Sequence, residues 1–288
     1  YSFNLDKYPT NIPEVRKAIN CAVDKEAIAP IAEPGCYVGD TKNTGLLPSM
    51  IEDFSEKEFY DGLEDYSYNL EKAAGYLESI GWTKGSNGKW IDDKGEVPTI
   101  EIVVVGGWAA FVTSGEAITS MLNDFGFNAV FKPMEEAACW EYAEAGNASM
   151  VCDFFGGAQT YNHPYEAYNG IGWYGKRMGI IQTAGKDLIF TNPITGEEFN
   201  HSQGVQDLFK ASTKEETIEL TQEFMQFYND YCLAFPLIEK YSVTRVYNNN
   251  LSLAEAPINE QLSNYYWNGT LTKMLAKMIK DGEMYVVE

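Results

Sequence analysis

Cations are scarce in this chain, and histidine is almost absent. Its 288 residues include 21 Lys and Arg against 42 Asp and Glu, which gives a formal net charge of −21. A field of this sign repels phosphate backbones and anionic lipid, so the composition argues against nucleic-acid binding through a basic patch. The two histidines, His163 and His201, have no second histidine three or four residues away, which argues against a histidine metal site.

Long apolar runs and paired cysteine motifs are also missing. No uninterrupted apolar run approaches the roughly 20 residues that a membrane-spanning helix needs. The cysteines are odd in number, and the absence of a CxxC pair removes support for zinc-ribbon and thioredoxin-like sites. One disulfide stays open at this point, while several small buried thiols are the simpler interpretation. The cysteines are Cys21, Cys36, Cys139, Cys152 and Cys232.

Catalytic signatures are absent as well. The chain has no GxSxG or P-loop motif, and Gly106-Gly107 lacks the GxGxxG spacing of a dinucleotide site. Two pairs of adjacent acids, Asp92-Asp93 and Glu135-Glu136, point apart in a helix or a strand, so we expect solvated faces rather than an acid/base pair. The sequence therefore favours a binding protein that is not an enzyme and that uses no cofactor and no metal.

The chain does have enough apolar material for a packed core, and a regular run of elements. Hydrophobic residues make up 45% and aromatic residues 14%, which excludes extensive disorder. From residue 99 the pattern predicts a strand, helix, strand, helix and strand. Their predicted bounds are 99–105, 114–125, 127–132, 135–145 and 150–155. Since crossovers through a helix join parallel strands, we predict a parallel βαβαβ core.

Helix signals precede this core. Pro13 begins a helix whose apolar positions continue at helical spacing to Ile28, and Pro30 is expected to end it. Asn69 is expected to cap a second helix that closes at Gly81. A short hairpin centred on Trp90 is then predicted before the core.

The second half of the chain has weaker patterns. Residues 156–205 are rich in glycine, asparagine and aromatics and show little periodicity. Thr213 with Glu216 predicts a capping box at the start of a helix that reaches Tyr231. One or two strands are expected at 235–246. A turn at 248–250 and a helix at 272–279 are expected after them.

A ligand site is expected at the carboxyl ends of the parallel strands, where connecting loops diverge and leave a crevice. Gly106, Gly107 and Trp108 follow the first strand, and a glycine-rich loop at 156–159 follows the third. Paired glycines let the backbone approach a ligand, and aromatic faces with a few amides suit a small organic molecule. The candidate ligand-binding residues are Gly107, Trp108, Gln159, Thr160, Tyr161, Asn162 and Trp173.

Five short motifs occur in order along the first 245 residues. They are Val15-Arg16-Lys17-Ala18-Ile19 running to Asp24-Lys25, Tyr68-Asn69-Leu70 with Gly81-Trp82, Lys89-Trp90 to Gly95 with Ile100 to Val103, Ile118 to Leu122 with Phe125-Gly126-Phe127, and Ala234-Phe235-Pro236-Leu237. Together they resemble solute-binding protein family 5, the large extracellular binding proteins of oligopeptide and dipeptide ABC importers. The resemblance implies that Asp24 is a structural helix residue rather than a ligand contact.

This sequence differs from the family pattern at its N-terminal end. In the family an entire first lobe precedes the first motif, whereas 14 residues precede it here. The resemblance therefore implies the second lobe of a two-lobe protein at 1–235, and a segment at 236–288 that returns toward the first lobe. The implied fold class is α/β, a type II periplasmic-binding-protein-like lobe with a βαβαβ parallel core and flanking helices.

A second departure bears on the ligand. Peptide-binding members of the family place an Asp in the loop after the last of these strands, where it pairs with the α-ammonium of the peptide. Aligning His163-Pro164 with the turn that follows puts Gln159, Thr160 and Tyr161 near that place, and none is acidic. A neutral loop loses the ion pair that anchors a free N-terminus. Glycans, modified peptides and other polar solutes therefore stay open beside the peptide that the family implies.

The function implied is substrate capture for an ABC importer, by closure of two lobes about a hinge. The implied partners are a peptide-like or other polar solute and an ABC permease, with the binding protein itself a monomer. The implied location is extracellular or periplasmic, tethered by an N-terminal lipid on the full-length protein. Two alternatives are a surface interaction module that uses the aromatic loop 156–175, and a flavodoxin-like or hydrolase-type α/β enzyme.

Overall fold

The computed structural model describes residues 1–154, 163–174, 188–240, 251–253, 280 and 284–286. The strands are β1 (Ser2–Phe3), β2 (Tyr37–Val38), β3 (Thr83–Lys84), β4 (Trp90–Ile91), β5 (Thr99–Val105), β6 (Asn128–Met134), β7 (Met150–Val151), β8 (Ile189–Thr191), β9 (Glu198–Asn200), β10 (Ile238–Glu239), β11 (Leu251–Leu253) and β12 (Met284–Val286). The helices are α1 (Pro13–Ala22), α2 (Lys25–Ala32), α3 (Ile51–Phe54), α4 (Lys57–Gly62), α5 (Leu70–Ser79), α6 (Ala109–Phe125), α7 (Glu136–Glu144), α8 (Pro164–Tyr174), α9 (His201–Lys210) and α10 (Lys214–Tyr231). Within these ranges no helix has the length and apolar character to cross a bilayer. The predicted turn at 248–250 and helix at 272–279 lie outside the described residues.

A four-stranded sheet in the order β1-β7-β5-β6 organises the first half of the chain. β5 pairs in parallel with β6 along its whole length and with β7 at Ile102 and Val103, so the predicted parallel βαβαβ core is confirmed. β1 adds an antiparallel strand beside β7. Sequence patterns did not indicate β1, because a strand of two residues carries no periodicity.

The strand predicted at 127–132 is found at Asn128–Met134 and the helix predicted at 135–145 at Glu136–Glu144, while the bounds of α6 and β7 differ more from their predictions. α6 begins at Ala109 rather than at residue 114, because the amides of Phe111 and Val112 both donate to the Trp108 carbonyl at 3.0 Å. β7 ends at Val151 rather than at residue 155. The amide of Cys152 still donates to the Val103 carbonyl at 3.0 Å, but the chain leaves the sheet after it.

Both faces of β5 are buried, which explains its nearly continuous β-branched sequence. Successive side chains point to opposite faces, so one set packs on α6 and the other on α7. The residues toward α6 are Ile100, Ile102 and Val104, and those toward α7 are Val103 and Val105. This two-sided cover makes the sheet a rigid base for whatever lies at its edges.

The predicted helix from Pro13 through Ile28 is wrong as one element, because it divides at Asp24 into α1 and α2. Asp24 has an extended backbone, and its carboxylate accepts a hydrogen bond from the Ala27 amide at 3.0 Å. It therefore caps α2, a structural role that agrees with the expectation for this residue. Pro30 lies inside α2 rather than ending it.

Arg16 fixes α1 against the end of α10. Its guanidinium donates to the carbonyls of Thr10 (2.9 Å), Tyr231 (2.6 Å) and Cys232 (3.0 Å) and lies 4.8 Å from the centre of the Tyr231 ring. The residue is only 1% exposed. The last carbonyls of a helix lack partners within the helix, so a buried cation is well placed there.

The other predicted helix ends are confirmed. Asn69 caps α5 by accepting from the Lys72 amide at 2.9 Å, and Gly81 follows α5 with a φ of +84°. Thr213 caps α10 by accepting from the Glu216 amide at 3.1 Å. The Glu216 carboxylate accepts from Ser212 at 2.8 Å, one residue before the place that a standard capping box uses.

A second hydrophobic cluster forms around α8, α9 and α10. Tyr168 stacks on Phe224 with ring centres 4.3 Å apart, and the imidazole of His201 lies 3.1 Å from the Tyr228 hydroxyl. Gly45 closes this cluster with a φ of +80°, and an added Cβ there would lie 2.6 Å from the Tyr228 ring. The weak periodicity at 156–205 hid two helices and a hairpin, because each of these elements is short.

Two expectations about polar residues have clear outcomes. Asp92 was expected to be solvated, but it is 5% exposed and accepts hydrogen bonds from the Tyr8 hydroxyl and from the amides of Lys94 and Glu96. These bonds hold the pKa of Asp92 below its usual range, with the bond from Tyr8 contributing most. None of the five cysteines is joined in a disulfide, and Cys36 is half-buried while the others are buried.

Candidate functional site

The three parallel strands end together at one edge of the sheet. Val105 lies opposite Met134, and Val103 lies opposite Val151. We define the carboxyl edge as residues 106–111, 134–140 and 152–154. In parallel α/β sheets this is the edge where connecting loops diverge and ligands bind.

Gly106 and Gly107 begin this edge. The amide of Gly106 donates to the Met134 carbonyl at 2.7 Å, which extends the pairing of β5 and β6 by one bond. Gly107 is exposed, and a Cβ added to it would meet no atom of the described residues within 4 Å. The described part of the chain thus leaves the backbone at Gly107 open, and contact between Gly107 and a ligand stays a prediction.

Trp108 lies at the centre of a group of four aromatic rings, which we name the aromatic platform. Its ring centre is 4.8 Å from that of Phe111, 5.8 Å from that of Phe154 and 6.2 Å from that of Trp140. Phe111 and Phe154 also contact each other, with centres 5.6 Å apart. Phe154 is 48% exposed and the other three rings are half-buried, so the platform presents apolar faces to solvent.

Buried polar groups pack against the buried side of the aromatic platform. The Tyr1 hydroxyl lies 2.7 Å from Ser114 Oγ and 3.4 Å from the carbonyl of Phe111. Burial raises the pKa of Cys152 to about 12, so its thiol is protonated at neutral pH and is a poor nucleophile. The arrangement suits stacking and shape recognition rather than covalent chemistry.

Two adjacent acidic side chains at the edge, Glu135 and Glu136, begin α7 and face solvent. Glu135 caps α7, and its carboxylate accepts from the amides of Ala137 and Ala138 at 3.0 and 3.3 Å. Glu135 and Glu136 are both exposed, as expected for solvated faces. Across the described ranges, no group of three histidine, cysteine or acidic side chains is placed to hold a metal ion.

The structure brings together only part of the predicted site. Gly107 and Trp108 lie at the carboxyl edge. Trp173 belongs to α8, whose residues Ala167 and Tyr168 pack in the second hydrophobic cluster, and its side chain lies outside what the structure describes. The remaining predicted residues, Gln159, Thr160, Tyr161 and Asn162, also lie outside the described residues.

Three platform residues were missed by sequence reasoning. Phe154 lies in what was predicted as a strand, where it would have been part of the core. Phe111 precedes the predicted start of its helix, and Trp140 occupies a position in α7 that fits a core face equally well. The spacing of Phe111, three residues after Trp108, was the one signal that could have found a partner, since such residues are neighbours in a helix.

Comparisons with known proteins agree with the architecture. The family model described as "Bacterial extracellular solute-binding proteins, family 5 Middle" matches residues 1–175. The nickel-binding periplasmic protein of Escherichia coli K12 is 28% identical over 169 residues, covering 58% of this chain and 29% of that protein. The dipeptide-binding protein of the same organism is 34% identical over 84 residues, covering 29% of this chain and 14% of that protein.

Among solved structures, a periplasmic oligopeptide-binding protein of Thermotoga maritima bound to mannohexaose is similar, with a TM-score of 0.76 and 18% identity. The match covers 99% of this chain and 51% of that one. The chain thus spans about half the length of this structure and less than a third of the two curated relatives. The predicted α/β fold, a type II periplasmic-binding-protein-like lobe, is confirmed.

Proposed function

The chain belongs to the bacterial extracellular solute-binding proteins, family 5, and on this premise we propose that it captures a solute for an ABC importer. The observation that carries the proposal is the aromatic platform, which exposes ring faces at the edge of a parallel sheet where α/β folds bind ligands. The function is binding without catalysis. This agrees with relatives that are themselves binding proteins.

Capture starts when the ligand lays an apolar face on Trp108 and Phe154. Removing apolar surface from water contributes about 25 cal/mol per Å², and aromatic stacking adds geometric selectivity. Gly107 lets polar groups of the ligand reach the backbone beside the rings. A second lobe supplies the opposite wall, and the ligand stabilises the closed form by binding it more tightly than the open form.

The ligand is a peptide-like or other polar solute that also has an apolar face. Sugar rings and planar amides both meet that description, since each joins a stackable face to polar edges. The related Thermotoga structure holds mannohexaose, and an Escherichia coli relative is named for dipeptides, so the family accommodates both classes. The neutral residues Gln159, Thr160 and Tyr161 favour a ligand without a free α-ammonium.

The domain assignment follows from the same proposal. Residues 1–235 form one lobe, and residues 236–288 return toward the other. The mature protein works as a monomer outside the cytoplasmic membrane, carries an N-terminal lipid and delivers its solute to an ABC permease. The intact mass of the native gene product tests this assignment: a mass well above 32.3 kDa supports it, and a mass near 32.3 kDa contradicts it.

Replacing Trp108 with alanine tests the platform directly. We expect Trp108→Ala to weaken binding of the preferred probe by at least tenfold, about 1.4 kcal/mol, because the central stacking face is lost. Affinity is measured by ligand-detected NMR against mannohexaose and against a dipeptide. A single lobe leaves much of a ligand in water, so the affinities of this chain should be low.

Two further variants separate a binding effect from a folding effect. Trp108→Phe keeps a ring and should recover part of the affinity. Tyr68→Ala removes an aromatic side chain that is 50% exposed and lies next to α5, so it should leave binding unchanged. Equal affinities for Trp108→Ala and the unmodified chain would remove the platform from the site.

Gly107 provides a second and independent test. A Cβ at this position meets no atom of the residues that the structure describes, so Gly107→Ala should leave the free energy of unfolding within about 0.5 kcal/mol of the original. If the ligand approaches the backbone here, the added methyl group should reduce affinity several-fold. Urea unfolding and the same NMR titration measure the two quantities. Unchanged affinity would place the ligand away from Gly107.

A further inference from the structure

An open groove of 480 Å³ lies between the β8–β9 hairpin and α10, away from the carboxyl edge. Its floor is aromatic: Phe199 and Phe227 stack with ring centres 4.3 Å apart and planes 11° apart, and Phe59 of α4 lies beside them. We name this feature the hairpin groove. The half-buried rings of Phe199 and Phe59 give the groove an apolar floor, and the other side chains around it are polar or charged.

Four carboxylates surround this apolar floor. Glu197 and Glu198 come from the hairpin, and Glu219 and Glu223 come from one face of α10, one turn apart. All four are exposed, and none forms an ion pair with a lysine or arginine in the ranges that the structure describes. Like charges one turn apart on a helix repel each other. A cation bound in the groove would reduce this repulsion between Glu219 and Glu223.

The described residues contain no group of three acidic, histidine or cysteine side chains close enough to share one metal ion. The negative charge comes instead from two elements, the hairpin and α10, that both line the groove. That distribution matches several separate cationic groups joined by apolar material.

We propose that the hairpin groove docks a basic segment of a partner protein, in which arginine side chains flank an aliphatic or aromatic residue. The apolar residue lies on the half-buried rings of Phe199 and Phe59, with the buried Phe227 behind Phe199, and the arginines pair with the carboxylates of the hairpin and of α10. A guanidinium can stack on an aromatic ring while it hydrogen-bonds a carboxylate, which is why arginine suits this groove better than lysine.

The distribution of charge favours a protein segment over a small free cation. Two of the carboxylates come from the hairpin and two from α10, so one small cation cannot pair with all of them, whereas several basic side chains of one segment can. Interfaces of this kind combine a buried apolar centre with a charged rim, and complementary charge sets their rate of association.

The test uses the full chain and a capped peptide, acetyl-Arg-Leu-Arg-Phe-Arg-amide. We expect its NMR titration to shift signals of the hairpin and α10, with an affinity that falls as salt rises. The E219Q/E223Q variant should weaken binding about tenfold. The matched control E71Q/E78Q removes two exposed carboxylates of α5 and the same net charge, and it should bind like the original chain.

Three outcomes would overturn the proposal. In the first, E219Q/E223Q binds the peptide as tightly as the original chain. In the second, the original chain binds a peptide with glutamine in place of arginine as tightly as the arginine peptide. In the third, arginine amide alone binds as tightly as the peptide, which would make this a small-cation site. The peptide should also bind Trp108→Ala normally. A result against peptide docking in the hairpin groove is therefore distinguishable from a result against solute binding at the aromatic platform.

Discussion

Acidification should destabilise this protein through His201, and the His201→Gln variant should resist it. His201 is 1% exposed among aromatic rings, and burial lowers its pKa to about 3 from a usual 6.5. Below pH 6.5 the unfolded chain binds a proton that the folded chain refuses, so the free energy of unfolding falls with pH. The slope is up to about 1.4 kcal/mol per pH unit, which reaches on the order of 4 kcal/mol by pH 3.

The measurement is urea unfolding of both chains at pH 7 and at several lower values. Glutamine can keep a hydrogen bond to the Tyr228 hydroxyl but does not titrate, so His201→Gln should lose this part of the slope. Acidic groups that titrate in the same range contribute equally to both chains. His163 offers a matched control: it is half-buried, burial lowers its pKa, and His163→Gln should change the slope less. If the free energy of unfolding depends on pH in the same way for His201→Gln and the original chain, His201 is not responsible for the loss of stability in acid.

Sequence patterns correctly predicted the structural elements that are determined by residues close together in the sequence. The β-branched run from Thr99 to Val105 forms a strand with those bounds, because a strand covered on both faces needs apolar residues throughout. The caps at Asn69 and Thr213 are correct, because a side chain and an amide three residues later decide them. The place of Trp108 at the carboxyl edge was predicted because it follows a strand end, and its contact with a ligand stays a prediction.

Features that depend on distant partners were not predicted. Asp92 is buried because the Tyr8 hydroxyl, 84 residues earlier, donates to it. Phe154 belongs to the aromatic platform because β7 is short, and the length of β7 is set by its neighbours in the sheet rather than by its own sequence. The division of α1 from α2 is an intermediate case, since Asp24 carried a capping signal that continuous apolar spacing obscured.

Arg16 shows how a sequence motif can encode the fold rather than the site. It belongs to the first of the motifs that resemble family 5, yet it lies away from the carboxyl edge. Its guanidinium satisfies three carbonyl groups and joins α1 to the end of α10, more than 200 residues later. The motif therefore secures the contact between the beginning of this chain and the helix that ends at Tyr231.

Replacing Arg16 should consequently cost a large part of the stability of the protein. In Arg16→Met the carbonyls of Thr10, Tyr231 and Cys232 lose their donors inside the protein. An unsatisfied buried polar group costs about 1–3 kcal/mol, so we expect a loss on the order of 4 kcal/mol for the set. Arg16→Lys keeps the positive charge but loses the planar arrangement of N–H donors in the guanidinium, so its loss of stability should be intermediate. Urea unfolding of the full chain measures both variants.

The control is Lys57→Met, which makes the same kind of change at a side chain that is 86% exposed. Its ion pair with Asp61 is a surface pair on one helix, so its loss should cost less than about 0.5 kcal/mol. The expected order of stability is the original chain with Lys57→Met, then Arg16→Lys, then Arg16→Met. If Arg16→Met unfolds at the same urea concentration as Lys57→Met, the buried guanidinium does not hold α1 to α10. The stability of that junction would then come from the apolar residues around it.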